Sequence, residues 1–236
     1  MGYIQGMASE VLVKVGKLTF GFVLGLSSAQ AMAGHEITIG IGDTNRVALS
    51  YDNGQFGGSL ARLYQCTLDS SDLGYKVRYY PQVRVLHLLE RGELDLGLPL
   101  ARLPERDQYA VFTHPLFETR FHLFTRKSID PDSDLSGYTF IVLRASASAK
   151  IAASRNAKYE EVASWTQALS LAKLGRFDGA LIPAPIVADI GDNQLDGLKR
   201  IDFGSIQVSI YVSKNIDHHD DIVARLNGGI RQCVPG

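Results

Sequence analysis

Few stretches of this 236-residue chain have the residue types and spacing that catalysis or metal binding needs. GIGDTN at Gly40–Asn45 begins like a dinucleotide-binding turn, but Asn45 stands where the third glycine belongs. No phosphate-loop lysine motif occurs. SASAK at Ser146–Lys150 places serine and lysine four apart, which misses the S-x-x-K spacing of acylating serine enzymes. DHHDD at Asp217–Asp221 has the residue types of a metal site. Its place before an apolar-periodic stretch reads better as acidic charge at a helix start, where the dipole favours it. His87, His114 and His122 read as structural. Cys66 and Cys233 lack neighbouring ligands for a metal. They are either a disulfide, if the compartment is oxidising, or two separate buried thiols.

The elements that would position any site come from hydrophobic periodicity. EITIGIG (36–42) is a β-branched strand closed by glycines, and Asn53-Gly54 is a turn. Leu60, Leu63, Tyr64 and Leu68 have helical spacing, YKVRYY alternates as a strand, and VRVLHLLERG is a helix capped by Gly92. LDLGLPL is a short buried strand. The second half repeats the pattern with YTFIVLR, SAKIAASRN, SWTQALSLAKLG and FDGALIP. IQVSIYVS then alternates, and HDDIVARLNGGI is a final short helix. Strands alternating with helices predict parallel sheets covered by helices. LLERGELDLGL and LAKLGRFDGAL make the same move, a glycine-capped helix dropping straight into a strand, once in each half. Two copies predict two α/β lobes rather than a solenoid, which needs at least three repeats.

Charge and the N-terminus bound the setting. A net charge of −1 provides no basic surface for nucleic acid. Residues 1–33 carry Lys14 and Lys17, an apolar run Leu18–Leu26 and the small-residue ending Ala31-Met32-Ala33. Those are the three parts of a secretory signal peptide, with cleavage after Ala33. The apolar run falls short of the ~18–20 residues of a membrane span. The mature protein is expected to be exported, soluble and periplasmic.

Several stretches, taken in order, resemble the periplasmic solute-binding proteins of family 3, the amino-acid-binding type. They are ITIGIGD, DNGQFGG, LLERGELDLGL, LPERDQYAVFTHPL, DLSGYTF, LAKLGRFDGAL and IQVSIYVSKN, spanning roughly residues 36–230. The resemblance implies two lobes, each a mixed, mainly parallel sheet with flanking helices, joined by two strand crossings. Lobe 1 would comprise 34–116 plus 209–236, lobe 2 121–205, and the hinge 116–120 and 205–209. It implies a monomer that binds a small molecule between the lobes, without metal or cofactor, and serves an ABC transporter permease or a sensor. A dehydratase-type enzyme of the same fold is a remoter reading, and no enzyme activity is expected. With the chain returning to lobe 1, Cys66 and Cys233 would share that lobe, so a disulfide between them is expected.

The same resemblance proposes the site. Arg106 in LPERD is similar to the family arginine that holds a ligand carboxylate, a task suited to a planar guanidinium with two parallel N–H groups. Arg102 is a second anion contact, Asp43 a partner for a ligand amine, and Tyr51 an aromatic wall. Ser146 and Ser148 stand in the loop that grips a carboxylate from a helix N-terminus, with Ala145 where the family has glycine. Pro183 falls about where the family has its amine-binding aspartate. A small anionic or carboxylate-bearing ligand is therefore expected, with any amine held only weakly. Removing Arg106 is expected to leave the ligand-free protein as stable as before.

Overall fold

The computed structural model describes residues 36–234, so the expected signal peptide at 1–33 lies outside the described residues. The chain runs β1 (Ile37–Gly42), a 3₁₀ turn (Asp43–Asn45), β2 (Ser50–Asp52), β3 (Gln55–Gly57), α1 (Ala61–Ser70), β4 (Tyr75–Tyr80), α2 (Gln82–Glu90) and β5 (Leu96–Ala101). There follow β6 (Ala110–Phe112), β7 (Phe117–Thr125), β8 (Thr139–Leu143), α3 (Ala147–Ser154), β9 (Lys158–Val162), α4 (Trp165–Lys173) and β10 (Gly179–Pro183). The chain closes with α5 (Ala184–Asp189), a second 3₁₀ turn, β11 (Lys199–Ser213) and α6 (His219–Cys233).

Nine strands form one hydrogen-bonded sheet in the order β4-β1-β5-β11-β7-β10-β8-β9, with β6 also on β11. The two ends mirror each other. In the first, β4, β1 and β5 are parallel and β11 is antiparallel to β5. In the second, β9, β8 and β10 are parallel and β7 is antiparallel to β10. The fold is therefore the expected two-lobed α/β arrangement with two strand crossings. The crossings are longer and more ordered than their sequence suggests. Ser205 to Val208 pair with Arg120 to Phe117, and Lys199 to Asp202 pair with Thr125 to His122, with a register break between Asp202 and Ser205. The predicted IQVSIYVS strand is the far end of this 15-residue β11, and the expected short last helix is the 15-residue α6.

Burial follows the periodicity that built the elements. Helix α4 buries Trp165, Ala168, Leu169 and Ala172, one face at i, i+3, i+4, i+7. Helix α6 buries Ile222, Leu226 and Ile230 in the lobe 1 core, beside Ile39, Tyr64 and Leu96. The two cysteines are joined, Cys66 on α1 to Cys233 at the end of α6. Arg225 of α6 also donates to Ser71 O at 3.0 Å, so the C-terminal helix is bound to lobe 1 at two places.

The repeated motif has a repeated physical content. After α2 and α4 the backbone turns through Gly92 (φ +71°) and Gly175 (φ +68°). Three residues later in each copy an aspartate clamps the first strand of its lobe. Asp95 donates its N–H to Thr38 O at 3.0 Å, and its carboxylate accepts the Thr38 N–H at 2.7 Å. Asp178 does the same to Thr139, at 3.0 and 2.6 Å. The carboxylate takes over a strand N–H just where the parallel partner strand is only beginning. Such charge-assisted bonds contribute about 1.5–3 kcal/mol each.

Two outcomes follow for stability. Alanine at either glycine carries the left-handed backbone cost of about 1–2 kcal/mol. At Gly92 the new Cβ would also stand 2.4 Å from Asn215 O, whereas at Gly175 the nearest atom is Arg126 Nη1 at 3.6 Å. Urea unfolding should thus show Gly92→Ala losing clearly more than Gly175→Ala, and equal losses would mean the Asn215 segment yields freely. Replacing both cysteines by serine opens a cross-link between residues 167 apart and should cost up to about 5 kcal/mol, read in the same experiment.

Candidate functional site

The C-terminal ends of the parallel strands converge on one cavity between the lobes, with about 80 Å³ of water-accessible space. In open α/β sheets this is where ligands bind. Lobe 1 contributes Asn45 after β1, Gln82 at the start of α2, Pro99 to Ala101 at the end of β5, and Arg106. Lobe 2 contributes Leu143 at the end of β8 and Ala145 to Ala147 after it, Trp165 at the start of α4, and Pro183 at the end of β10. Phe117, Thr119 and Phe121 of β7 and Val208 of β11 complete the wall from the crossings.

Arg106 is placed by the loop after β5. Its N–H bonds to Leu103 O at 2.9 Å, and the loop is pinned by Tyr211 of β11. The Tyr211 hydroxyl accepts from Leu103 N–H at 3.1 Å and donates to the Asp107 carboxylate at 2.7 Å. Arg106 itself is 3% exposed. Its Nη1 donates to Ala101 O at 2.7 Å and its Nη2 to Ala145 O, across the cleft in lobe 2, at 3.0 Å. Ala145 adopts φ +57°, the left-handed backbone that suits the glycine of the family pattern. Among the described residues no carboxylate lies within 4 Å of the Arg106 guanidinium. Burial pulls its pKa below the ordinary arginine value, against weaker attraction from Tyr109, Tyr211 and Glu105. A buried cation held only by neutral carbonyls keeps part of its desolvation cost. Loss of Arg106 would leave these two carbonyls without that donor, which bears on the expectation that the ligand-free protein does not need it.

The other predicted residues divide. Ser146 lines the cavity, but its hydroxyl already caps α3, accepting from Ser148 N–H at 3.3 Å and donating to Leu143 O at 2.7 Å. Ser148 is fully buried with an unpartnered hydroxyl and lies off the wall. Asp43 is exposed on the 3₁₀ turn, and Asn45, two residues on, faces the cavity instead. Tyr51 sits in the β2–β3 hairpin, its ring 4.8 Å from Phe56 and 5.9 Å from Tyr75, away from the cavity. Arg102 is exposed and paired with Asp107 at 3.3 Å. Arg106 and Ser146 are thus brought together, and Asp43, Tyr51, Arg102 and Ser148 do not join them on the wall.

Asn45, Gln82 and Trp165 line the cavity without having been singled out in the sequence. Asn45 Nδ2 donates to Gln82 Oε1 at 3.2 Å, which ties the turn after β1 to α2. Trp165 follows the Ser164 cap of α4, and its indole N–H is buried without an acceptor. The one legible signal was the position of each at a strand-to-helix junction, the place where α/β sheets present side chains to ligand. The lobes are packed on each other around these groups. Ala48 and Leu60 share a core cluster with Trp165, Ile182 and Ile186. Ser59 donates to Asp189 at 2.7 Å and Lys150 pairs with Glu105 at 3.3 Å across the cleft mouth. Exposed pairs of this kind contribute about 0–1 kcal/mol, so the apolar contacts and the buried Arg106–Ala145 hydrogen bond outweigh them at the lobe interface.

The chain matches no family model and no curated protein. Solved structures do share its fold. The arginine-, lysine-, histidine-binding protein ArtJ from Geobacillus stearothermophilus superposes with a TM-score of 0.66 at 20% identity, covering 84% of this chain and 90% of ArtJ. A histidine kinase sensor domain with similarity to periplasmic binding proteins gives 0.71 at 18% identity, over 84% and 90% of the two chains. The GluR0 ligand-binding core from Nostoc punctiforme, in complex with L-glutamate, gives 0.66 at 17%, over 84% and 96%. Identities this low carry the architecture and not the ligand. With its mirrored parallel sheets, paired crossings and cavity at the strand ends, the chain has the two-lobed fold of the family 3 periplasmic amino-acid-binding proteins.

Proposed function

We propose that this protein is an exported solute-binding protein that captures a small carboxylate-bearing, amino-acid-like solute between its lobes and delivers it to a membrane transporter. The observation that carries the reading is Arg106, a buried guanidinium on the cavity wall with no carboxylate partner among the described residues. A ligand carboxylate supplies the missing counter-charge in two parallel hydrogen bonds. Residues 34–116 with 209–236 act as lobe 1, 121–205 as lobe 2, and 116–120 with 205–209 as the hinge about which they close. Residues 1–33 are the export signal, which places the cleft outside the cytoplasm. Ligand sensing is the second reading, favoured by the shared fold of a histidine kinase sensor domain. Both readings use the same binding step.

Isothermal titration of small carboxylates and their primary amides tests that step. Carboxylates should bind and the amides should not. Arg106→Ala should weaken carboxylate binding by about 2–5 kcal/mol, roughly thirty-fold or more. Arg106→Lys should recover only part, since a point charge lacks the guanidinium fork. Arg106→Ala should also lower the melting temperature of the free protein, through the freed carbonyls of Ala101 and Ala145. Carboxylate affinity left intact in both variants would overturn this reading of the cleft.

A further inference from the structure

The polar groups of the cavity are unequally divided between donors and acids. Among the described residues Arg106 is the one charged residue on the wall, and no aspartate or glutamate among them lines it. Pro183 and Pro185 occupy the end of β10 and the start of α5, where neither charge nor N–H is available. Asp43, the nearest sequence candidate for an amine partner, is exposed and off the wall. The Ser146 hydroxyl is committed to capping α3 and Gln82 Oε1 to Asn45, so the side-chain acceptors left on the wall, Asn45 Oδ1 and Thr119 Oγ1, are neutral. Against this stands a second donor. Trp165 lines the cavity and is 6% exposed, and its indole N–H, itself buried, has no acceptor among the described residues. An indole can only donate.

We propose that the cavity selects carboxylates whose second polar group is a hydrogen-bond acceptor and not an ammonium, with small 2-oxo acids bearing an apolar side chain as the fitting class and Trp165 as the residue that reads the acceptor. This rests on the reading of the cleft as a carboxylate site. An α-ammonium would enter beside a buried guanidinium with no acid among the described lining residues to neutralise it, and removing such a charge from water is costly. A keto oxygen carries no charge and accepts a hydrogen bond from the Trp165 indole N–H once the lobes adjust around the ligand. The apolar remainder of the ligand meets Phe117, Phe121, Leu143 and Ile186. The complex then contains one positive and one negative charge, in contact.

The test uses matched probes on three skeletons, with methyl, isobutyl and benzyl side chains, each as the 2-oxo acid, the 2-amino acid and the unsubstituted carboxylate. Affinities are measured by titration calorimetry and by the emission of Trp165, the chain's single tryptophan. On at least one skeleton the 2-oxo acid should bind at least tenfold tighter than the amino acid, and tighter than the unsubstituted carboxylate. Its binding should shift the tryptophan emission. Trp165→Phe should collapse the ratio between oxo acid and unsubstituted carboxylate toward one. An amino acid that binds as tightly as its oxo acid, or a ratio unchanged by Trp165→Phe, overturns this inference while leaving the carboxylate reading standing. Silence of all nine probes with a folded wild-type protein overturns the carboxylate reading, and this inference with it.

Discussion

A chain that crosses between two lobes twice must find partners for every backbone N–H and C=O group it carries across, because buried unpaired groups are costly. Here each crossing is the other's partner. The ladder from Val208–Phe117 to Ser205–Arg120 makes the junction part of the sheet, and the break between Asp202 and Ser205 interrupts it at one place. Everything else is hung from this ladder. Strand β11 continues into lobe 1 as the partner of β5 and β6, and β7 continues into lobe 2 as the partner of β10. The same strands put Phe117, Thr119, Phe121 and Val208 on the cavity wall, so the junction is also part of the site.

With the junction set, pseudo-symmetry does the rest. Each lobe has a parallel three-stranded core whose first strand is clamped by an aspartate after a glycine turn. The two cores approach through their C-terminal strand ends, which are the ends that carry loops and helix starts. Asn45, Arg106, Ser146 and Trp165 all come from such junctions. The cavity is the point where eight strands' worth of order meets two sets of irregular backbone.

Arg106 is the joint between architecture and chemistry. It reaches Ala101 O in its own lobe and Ala145 O in the other, so the closed arrangement and the buried charge are one structure. Neutral carbonyls satisfy the geometry of a guanidinium without neutralising its charge. This residual demand distinguishes the cavity from an ordinary gap between packed lobes.

Much of this was legible in the residues. The strands and helices of both lobes follow from periodicity, and the two glycine turns from the repeated motif. The Cys66–Cys233 bridge needed one step more, the return of the chain to lobe 1, which the resemblance supplied. Arg106 and Ser146 were legible as motif residues at strand ends. Three-dimensional contact decided the remainder. Whether Asp43 or Asn45 faces the cavity depends on the rotation of one 3₁₀ turn, which no spacing encodes. Tyr51 pairs with Phe56 across the predicted turn and also with Tyr75 of β4, which its own neighbourhood does not name. Trp165 reads in sequence as the first core residue of a helix, and it is one. That its indole N–H lacks an acceptor among the described residues is a fact about what packs around it in three dimensions. Sequence determines which residues can form a strand or a helix because those preferences are local. Tertiary structure alone decided which polar groups go unpaired, because pairing is settled between segments that are distant in the chain and meet only in the folded protein.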